Sequence, residues 1–541
     1  MTSGPPRRVS LPDFSGRQCT LPDDPDAWQC EGSGMAILLL GLGPGSPWTL
    51  PFLANAPTVF WLDAPATLTA LDRPERLVNM PSHWQRVTPE EAVRLSADCR
   101  RFFYAPGLRL APDFWGSLLG RMDAALCAGQ KSPCRAVLLP GSDAQLLHQE
   151  LRIALEQCGF GPILEDVPCL AGRSRPGERN QTEDFLRRWR QLLTQGRPAF
   201  LLSVNLRGMD AQGRVFHLCQ ELGIAVAIWF VDNPWQVLSQ LRLPWWKEAQ
   251  LFVTDATFLP SLRSQGARRV FHLPLATAPH MWRTENRHAT TSPLFVGRSA
   301  FPARERFFAA ARVPQTLEEE AARTLAASSG PGDGPHFFWW HARMGGAFWP
   351  GHALRNPGLG AERCAQANRV RWLLAAGAGR AGGIRVLGDA GWHSLLPGVQ
   401  ILAPVDYYTA LPNLYASAET VLNVTSLLLP GSLSQRHFDV WACGGLLLSD
   451  ATQGLDIFPQ ELTEPIALRK PEDFSPRLEF LRSRPREARA LRRAWREHLR
   501  TAHGYAQRVR HMTELLASEC CNAPHYGHLF PGGRASADGV R

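Results

Sequence analysis

The side chains best suited to binding and chemistry are concentrated in residues 422–455. Arg436 and Asp439 stand three positions apart, so a helix places both on one face near its N-terminus. The free N–H groups at a helix start and a guanidinium together attract an anion such as a diphosphate. A carboxylate one turn further along can hydrogen-bond the hydroxyl groups of a ribose. The pattern therefore indicates a nucleotide-diphosphate site, with a surface Arg–Asp pair as the simpler interpretation.

Neighbouring residues complete this candidate site. Asn423 lies in the strand predicted for residues 420–424, and Ser426 follows that strand. Gly444 comes directly after the helix predicted for residues 435–442, where a left-handed conformation stops the helix before the strand at 446–449. The surface-pair interpretation explains each feature separately but not their order along the chain.

Asp232 is a second candidate, because it directly follows a buried strand predicted for residues 224–231. In open α/β sheets, ligands bind outside the carboxyl ends of the strands. A carboxylate at that position can act as a general base on a substrate hydroxyl, or orient it. Equally, Asp232 can cap a helix that has Pro234 in its first turn. The sequence leaves both roles open.

Two further motifs look like ligand sites but favour simpler interpretations. The glycine-rich turn at residues 41–45 follows a strand, as a cofactor-binding turn does, yet Pro44 removes a donor and only Asp63 offers an acidic partner. Asp24 and Asp26 form an Asp-x-Asp sequence of the kind that holds a metal against a diphosphate. They precede every predicted strand and lack a rigid frame, so we expect no metal site there.

Short apolar runs alternate with helical stretches, which predicts an α/β fold of parallel sheets covered by helices. Each of the two larger domains is predicted to be Rossmann-like, with five strands. The second of them carries an insertion, residues 314–360, with a linker composition followed by an aromatic cluster. The predicted units are a loose arm at 1–33, a smaller N-terminal α/β module at 34–130, Rossmann-like domains at 131–290 and 291–518, and a tail at 519–541.

Composition excludes several classes of function. The net charge of +9 comes from 58 basic and 49 acidic residues, and the arginines are spread along the chain, so we expect no nucleic-acid partner. No apolar run is long enough for a membrane span, and the first residues do not resemble a secretion signal. The twelve cysteines form no C-x-x-C pair and no zinc-like cluster. These features predict a soluble, cytoplasmic protein.

The order of the motifs resembles the CgeB-like (spore-maturation-type) glycosyltransferases of the GT-B class, over residues 131–518. The preceding domain also resembles theirs, through Trp229-Phe230-Val231-Asp232-Asn233-Pro234. Asp439 stands where the family usually has Glu, and Gly504 where it has Thr. The remaining matching residues are Phe295-Val296-Gly297, Leu422-Asn423, Arg436-His437-Phe438-Asp439, Ala442-Cys443-Gly444 and His503-Gly504-Tyr505-Ala506-Gln507-Arg508.

The resemblance implies transfer of a sugar from a nucleotide-diphosphate donor to an acceptor hydroxyl, without a bound metal or cofactor. It places the donor in the C-terminal domain and the acceptor, a protein, lipid or glycan, toward the N-terminal one. Asp232 and Arg436 are the implied catalytic residues, and Arg298 helps Arg436 to stabilise the leaving diphosphate. The implied nucleotide-sugar-binding residues are Gly297, Arg298, Asn423, Ser426, Arg436, Asp439 and Gly444.

Two other functions stay open: a nucleotide-sugar epimerase of the same architecture, and a non-catalytic scaffold, which the departure at Asp439 and the insertion would suit. We expect the cleft to close on the donor by hinge motion near residues 279–293, which excludes water. We also expect residues 1–130 to be dispensable for donor binding, since they lie outside the resemblance.

Overall fold

The computed structural model describes residues 8–53, 56–70, 80–127, 134–168, 179–194, 196–282, 290, 292–379 and 383–520. A two-stranded hairpin and three larger sheets organise this part of the chain. None of the helices it contains has both the length and the apolar character needed to cross a membrane.

The N-terminal module contains the hairpin and a five-stranded sheet. The hairpin pairs β1 with β2, and the sheet has the order β3-β7-β4-β5-β6, in which β3 alone runs antiparallel to its neighbour. The strands are β1 Arg8–Pro12, β2 Gln18–Pro22, β3 Trp28–Glu31, β4 Ala36–Leu40, β5 Val59–Leu62, β6 Gln85–Arg86 and β7 Cys99–Tyr104. The helices are α1 Pro65–Ala70, α2 Pro89–Leu95 and α3 Pro112–Ala125.

The predicted loose arm at residues 1–33 is wrong for the part that the structure describes. Cys19 and Leu21 are buried and alternate with exposed neighbours along β2. Trp28 is buried and packs against Tyr104 with ring centroids 4.6 Å apart. β3 pairs with β7, a strand far along the chain. No local pattern in a four-residue strand reveals such a partner, which explains the error.

The second unit is a six-stranded parallel sheet in the order β13-β12-β11-β10-β8-β9. The five predicted strands are present, and the edge strand β9 was not predicted. The strands are β8 Val137–Leu138, β9 Ile163–Leu164, β10 Phe200–Val204, β11 Ala225–Phe230, β12 Gln250–Val253 and β13 Arg269–His272. The helices are α4 His148–Gln157, α5 Arg179–Thr194, α6 Arg214–Glu221, α7 Pro234–Leu238 and α8 Leu259–Ser264.

The third unit is also a six-stranded parallel sheet, in the order β16-β15-β14-β17-β18-β19. The strands are β14 Leu294–Val296, β15 Arg385–Leu387, β16 Gln400–Leu402, β17 Val421–Asn423, β18 Leu447–Asp450 and β19 Ala467–Leu468. Numbered from its own start, this order is 3-2-1-4-5-6, that of the Rossmann fold. The predicted fold class is confirmed: two Rossmann-like domains, as in the GT-B architecture, follow a smaller α/β module.

Helices cover both faces of the third sheet and continue to the end of the described chain. They are α9 Arg304–Phe307, α10 Gln315–Ala327, α11 Phe337–Met344, α12 Arg355–Gly377, α13 Trp392–Leu395, α14 Leu411–Ser417, α15 Arg436–Ala442, α16 Gln460–Thr463, α17 Phe474–Ser483, α18 Pro485–Ala502 and α19 Tyr505–Cys520. The helix predicted for residues 435–442 is therefore present, and it begins one residue later, at Arg436.

The insertion at residues 314–360 is largely helical rather than irregular, since it holds α10, α11 and the start of α12. Several of its aromatic side chains pack onto the preceding domain. The ring centroids of Phe338 and Phe258 lie 4.8 Å apart, and those of Phe348 and Trp235 lie 5.2 Å apart in a stacked pair. The insertion thus makes contacts between the two Rossmann-like domains in addition to their covalent link.

A buried ionic network joins the N-terminal module to the second domain, where α3 packs on α6. Arg214 of α6 contacts Asp123 at 2.7 Å and Glu31 at 3.1 Å. Arg101 also reaches Glu31, and Arg190 reaches Asp123. Burial opposes ionisation of Glu31, but the charges of Arg214 and Arg101 hold its pKa down at about 2. Removing residues 1–130 would leave Arg190 and Arg214 without these carboxylates. Even if these residues are dispensable for donor binding, as we expect, their removal should therefore destabilise the second domain.

Replacing Arg214 with methionine tests this network. The change leaves Glu31 and Asp123 buried with fewer partners, so we expect the free energy of unfolding to fall by about 3–5 kcal/mol. Urea unfolding of the full chain, followed by tryptophan fluorescence, measures the change. Arg187→Met is the control, since its ion pair with Asp184 is exposed and is worth about 0–1 kcal/mol. Equal losses in the two variants would contradict a role for the network.

Candidate functional site

A cavity of about 610 Å³ lies between the two Rossmann-like domains. It opens where β14 and β17 end, which are the adjacent strands at which the strand order of the third sheet reverses. Ligands of doubly wound sheets bind at such a switch point. Of the predicted site residues, those that line the cavity are Asp232, Gly297, Arg298, Ser426 and Arg436. Asn423, Asp439 and Gly444 are not among its lining residues.

Gly297 follows β14, and its backbone lies against the loop that follows β15. Its N–H donates to the Leu387 carbonyl at 3.0 Å, and its own carbonyl accepts from Trp392 Nε1 at 2.9 Å. A Cβ on Gly388 would lie 2.3 Å from the Gly297 oxygen, so the neighbouring loop requires glycine there. This packing fixes the backbone before Arg298, whose side chain is exposed in the cavity.

Arg436 is the first residue of α15 and connects the ends of β14 and β17. Its Nε donates to Asn423 Oδ1 at 3.0 Å, and its Nη1 donates to the Val296 carbonyl. The guanidinium carbon lies 5.3 Å from the centre of the Phe295 ring. Nη2 has no hydrogen-bond partner among the described residues. One edge of the guanidinium is therefore available to an anion in the cavity.

The backbone amides at the start of α15 differ from the prediction of free donors. The N–H of His437 donates to the Ser434 carbonyl at 3.0 Å, and the N–H of Phe438 to that of Gln435 at 3.1 Å. The helix begins with a tight turn that uses these donors itself. Positive charge at this end of the cavity consequently comes from side chains rather than from the amides of residues 437–438.

A buried polar cluster supports Arg436 from behind. Asn423 donates to Ser449 Oγ at 3.1 Å and to Asp450 Oδ1 at 3.2 Å. Asp450 also accepts from the N–H and the hydroxyl of Thr425. Burial raises the pKa of Asp450 to about 6. The cluster fixes the backbone that carries Ser426 into the cavity, so Asn423 acts through Arg436 and this backbone rather than by lining the site.

Asp439 is fully buried beside the cavity. Its carboxyl group accepts from Tyr407 Oη at 2.8 Å and from Gln435 Nε2 at 2.9 Å. Burial raises its pKa to about 8, so the neutral form predominates at pH 7. These protein partners occupy the group that was predicted to bind a ribose, and the ribose contact stays a prediction. Gly444, with φ of +76°, ends α15 at the helix end opposite Arg436.

Asp232 follows β11 on the opposite wall of the cavity. Asn205 Nδ2 donates to its Oδ2 at 2.8 Å, and Asn205 Oδ1 accepts from the Val231 N–H at 3.0 Å. Burial raises the pKa of Asp232, against the opposing effects of Arg207 and Asn205. The helix cap is Asn233, which accepts from the N–H groups of residues 235 and 236. The capping alternative for Asp232 is therefore wrong, and its carboxylate is available to a substrate.

Several further polar residues line the cavity and were not singled out from the sequence, among them Asn205, Glu362 and Arg369. Asn205 directly follows β10, so the rule that selected Asp232 also applied to it. Glu362 and Arg369 stand on α12 and pair at 3.4 Å, and Arg369 also donates to the Ser299 carbonyl at 3.1 Å. A helix at the edge of an insertion gives no sequence signal for which face meets a cavity.

The glycine-rich turn at residues 41–45 is closed by the protein itself. The Leu42 N–H donates to Asp63 at 2.9 Å. A Cβ on Gly43 would lie 2.5 Å from the Trp28 ring, which covers the turn. The space that a cofactor phosphate would use is therefore filled. Asp24 caps a short helical turn by accepting from the Asp26 N–H at 2.9 Å, in keeping with its simpler interpretation.

Among the described residues, three potential metal ligands lie close together. Asp143, His148 and Glu165 bring their ligand atoms within 4.8 Å of one another. None of the three lines the cavity, and Arg152 Nε lies 3.4 Å from Glu165 Oε1, which places a cation there already. The predicted hinge at 279–293 lies partly outside the described residues, at 283–289 and 291.

Comparisons with known proteins agree with this description. Residues 366–514 match the family model described as "Glycosyl transferase-like". No curated protein matches the chain significantly. A glycosyltransferase from Rickettsia africae ESF-5 is 9% identical, with 73% of this chain and 100% of that chain covered and a TM-score of 0.43. The spinosyn rhamnosyltransferase SpnG is 12% identical, with 89% and 100% covered and a TM-score of 0.27.

The fold and the cavity define the protein as one with two Rossmann-like domains and a cleft between them. More particularly, residues 366–514 form a glycosyltransferase-family domain, and they contain β15 to β19 and the cationic residue Arg436. The two solved structures superpose too loosely to add to this. The conclusion rests on the family match and on the strand order.

The raised pKa of Asp439 predicts a particular pH dependence of stability. Between the ordinary value of 3.8 and the folded value of about 8, the folded protein keeps a proton that the unfolded chain releases. Asp439 therefore contributes stability that is lost as pH rises through this window, by at most about 1.4 kcal/mol per pH unit. Asp439→Asn removes the ionisation and should flatten the dependence.

Urea unfolding at pH 5, 7 and 9 measures this effect. Asp456→Asn is the control, because Asp456 is exposed and its variant should keep the wild-type dependence. If Asp439→Asn retains the full loss of stability between pH 5 and 9, another group is responsible.

Proposed function

We propose that the protein transfers a sugar from a nucleotide-diphosphate donor to an acceptor hydroxyl. The observation that carries this proposal is the cavity at the switch point of a glycosyltransferase-family domain, with arginines on one wall and a carboxylate on the other. Arg298 and Arg436 belong to the third domain, and Asp232 to the second. The donor diphosphate then lies against the third domain, and the acceptor approaches from the second.

The proposed reaction follows from the placement of the arginines in the third domain and of Asp232 in the second. The acceptor oxygen bonds to the anomeric carbon of the donor sugar, while the bond from that carbon to the diphosphate oxygen breaks. Asp232 takes the proton of the acceptor hydroxyl, for which its raised pKa makes it a stronger base than an ordinary aspartate. The nucleoside diphosphate leaves with additional negative charge, which Arg298 and the free edge of Arg436 stabilise. No metal takes part in the proposed step.

The finer assignments belong to the same proposal. Gly297 and Ser426 line the donor half of the cavity, and Asn423 positions Arg436. Asp439 and Gly444 do not line the cavity, and we propose that they contribute to nucleotide-sugar binding from outside it. The chain is proposed to be CgeB-like. We also propose a cytoplasmic location, which the nine free cysteines among the described residues support.

Donor binding depends on Arg298 under this proposal. Arg298→Ala should weaken the affinity for a UDP-, GDP- or dTDP-linked sugar about ten- to hundred-fold, because a charge-assisted hydrogen bond is worth about 1.5–3 kcal/mol. Calorimetry with the full chain measures the dissociation constant. Arg489→Ala removes an exposed arginine outside the cavity and should bind as the wild type does. A wild-type chain that binds none of these donors would favour the non-catalytic alternative.

Turnover depends on Asp232. Asp232→Asn keeps the size of the side chain but removes the base, so the rate should fall by about 10²–10⁴ while donor affinity is retained. Product analysis accompanies the rate measurement, with Asp456→Asn as the control. A glycoside product supports transfer. A free isomerised nucleotide sugar would point to an epimerase, and an unchanged rate would remove Asp232 from the mechanism.

A further inference from the structure

The acceptor half of the cavity, on the side of the second domain, has polar side chains that are mostly hydrogen-bonded within the protein or buried out of reach. Asn233 Nδ2 donates to the Leu428 carbonyl at 2.9 Å, and its Oδ1 caps α7. Gln236 Nε2 donates to the Leu354 carbonyl at 2.9 Å, and its Oε1 is covered. Asn205 is bonded to Asp232 and to the Val231 N–H. Of the polar residues that the second domain contributes, Asp232 and Gln240 are left for a substrate.

The rest of this half is apolar. Val237 comes from the second domain. Leu428 and Leu429 come from the third, and the hydrogen bond from Asn233 to the Leu428 carbonyl holds their loop against the second domain. Phe307 lies below the guanidinium of Arg355, 4.2 Å from its ring centre, and Arg355 Nε bonds Ser239 of the second domain at 3.1 Å. This contact keeps the Phe307 side of the cavity close to the acceptor half.

From this surface we infer that the acceptor is a molecule with an apolar body and an isolated hydroxyl group, not a glycan; the inference rests on the proposed function. A sugar presents several hydroxyl groups, and each one that is buried without a partner opposes binding. An apolar alcohol or phenol needs no more partners than Asp232 and Gln240 can supply, and it gains from contact with the leucine and phenylalanine side chains.

Direct binding to the full chain tests this inference without a donor. The probes are 2-naphthol and methyl β-glucopyranoside, titrated by calorimetry. The wild type should bind 2-naphthol at least about tenfold more tightly than the glucoside. Leu429→Asn should weaken 2-naphthol binding by about tenfold or more. Leu374→Asn, which changes an exposed leucine outside the cavity, should bind 2-naphthol as the wild type does.

The outcomes separate the acceptor class from the reaction. Glucoside binding that equals or exceeds naphthol binding in the wild type would overturn the inference, even if a nucleotide sugar binds normally. Naphthol binding that is unchanged in Leu429→Asn, or equally weakened in Leu374→Asn, would also overturn it. Failure of every nucleotide sugar to bind would contradict the proposed reaction, while the comparison of the two probes would still show which class of molecule this surface accepts.

Discussion

The guanidinium of Arg436 ties the end of β14 to the end of β17 at the centre of the third sheet. It donates to the Val296 carbonyl and to Asn423, and Asn423 in turn bonds Ser449 and Asp450 at the end of β18. Only arginine combines a permanent charge with a planar fork that can serve two acceptors and keep a third edge free. The geometry of the switch point and the positive charge in the cavity therefore depend on the same side chain.

The positions of the two Rossmann-like domains are set by contacts far from this point. The insertion is covalently part of the third domain, yet Phe338 and Phe348 pack on Phe258 and Trp235 of the second. Any hinge motion would have to break these aromatic contacts or carry the insertion with the second domain. Because aromatic side chains bury large apolar areas, the second course is favoured energetically.

The sequence revealed the strands that are long and fully buried, such as β10 and β11, because their apolar runs are unmistakable. It missed β9 and β19, which have two residues each and no period. It placed Asp232 after a buried strand, where the structure has it in the cavity wall, but it could not decide between a role toward a substrate and capping of the next helix, which Asn233 in fact caps. Asp439 shows the same limit: spacing put it on the face of Arg436, but only tertiary packing shows that Tyr407 and Gln435 occupy its carboxyl group.

The separation of charges across the cavity explains why the site needs two domains. If Asp232 stood beside Arg436, the pair would satisfy itself, the carboxylate pKa would fall, and neither group would be free for a substrate. Instead, Asp232 is held by the neutral Asn205, and burial keeps its pKa raised. Arg436 is held by the neutral acceptors Asn423 and Val296. Each group is thus positioned by neutral partners of its own domain, which leaves the base and the cation to meet only through the molecule bound between them.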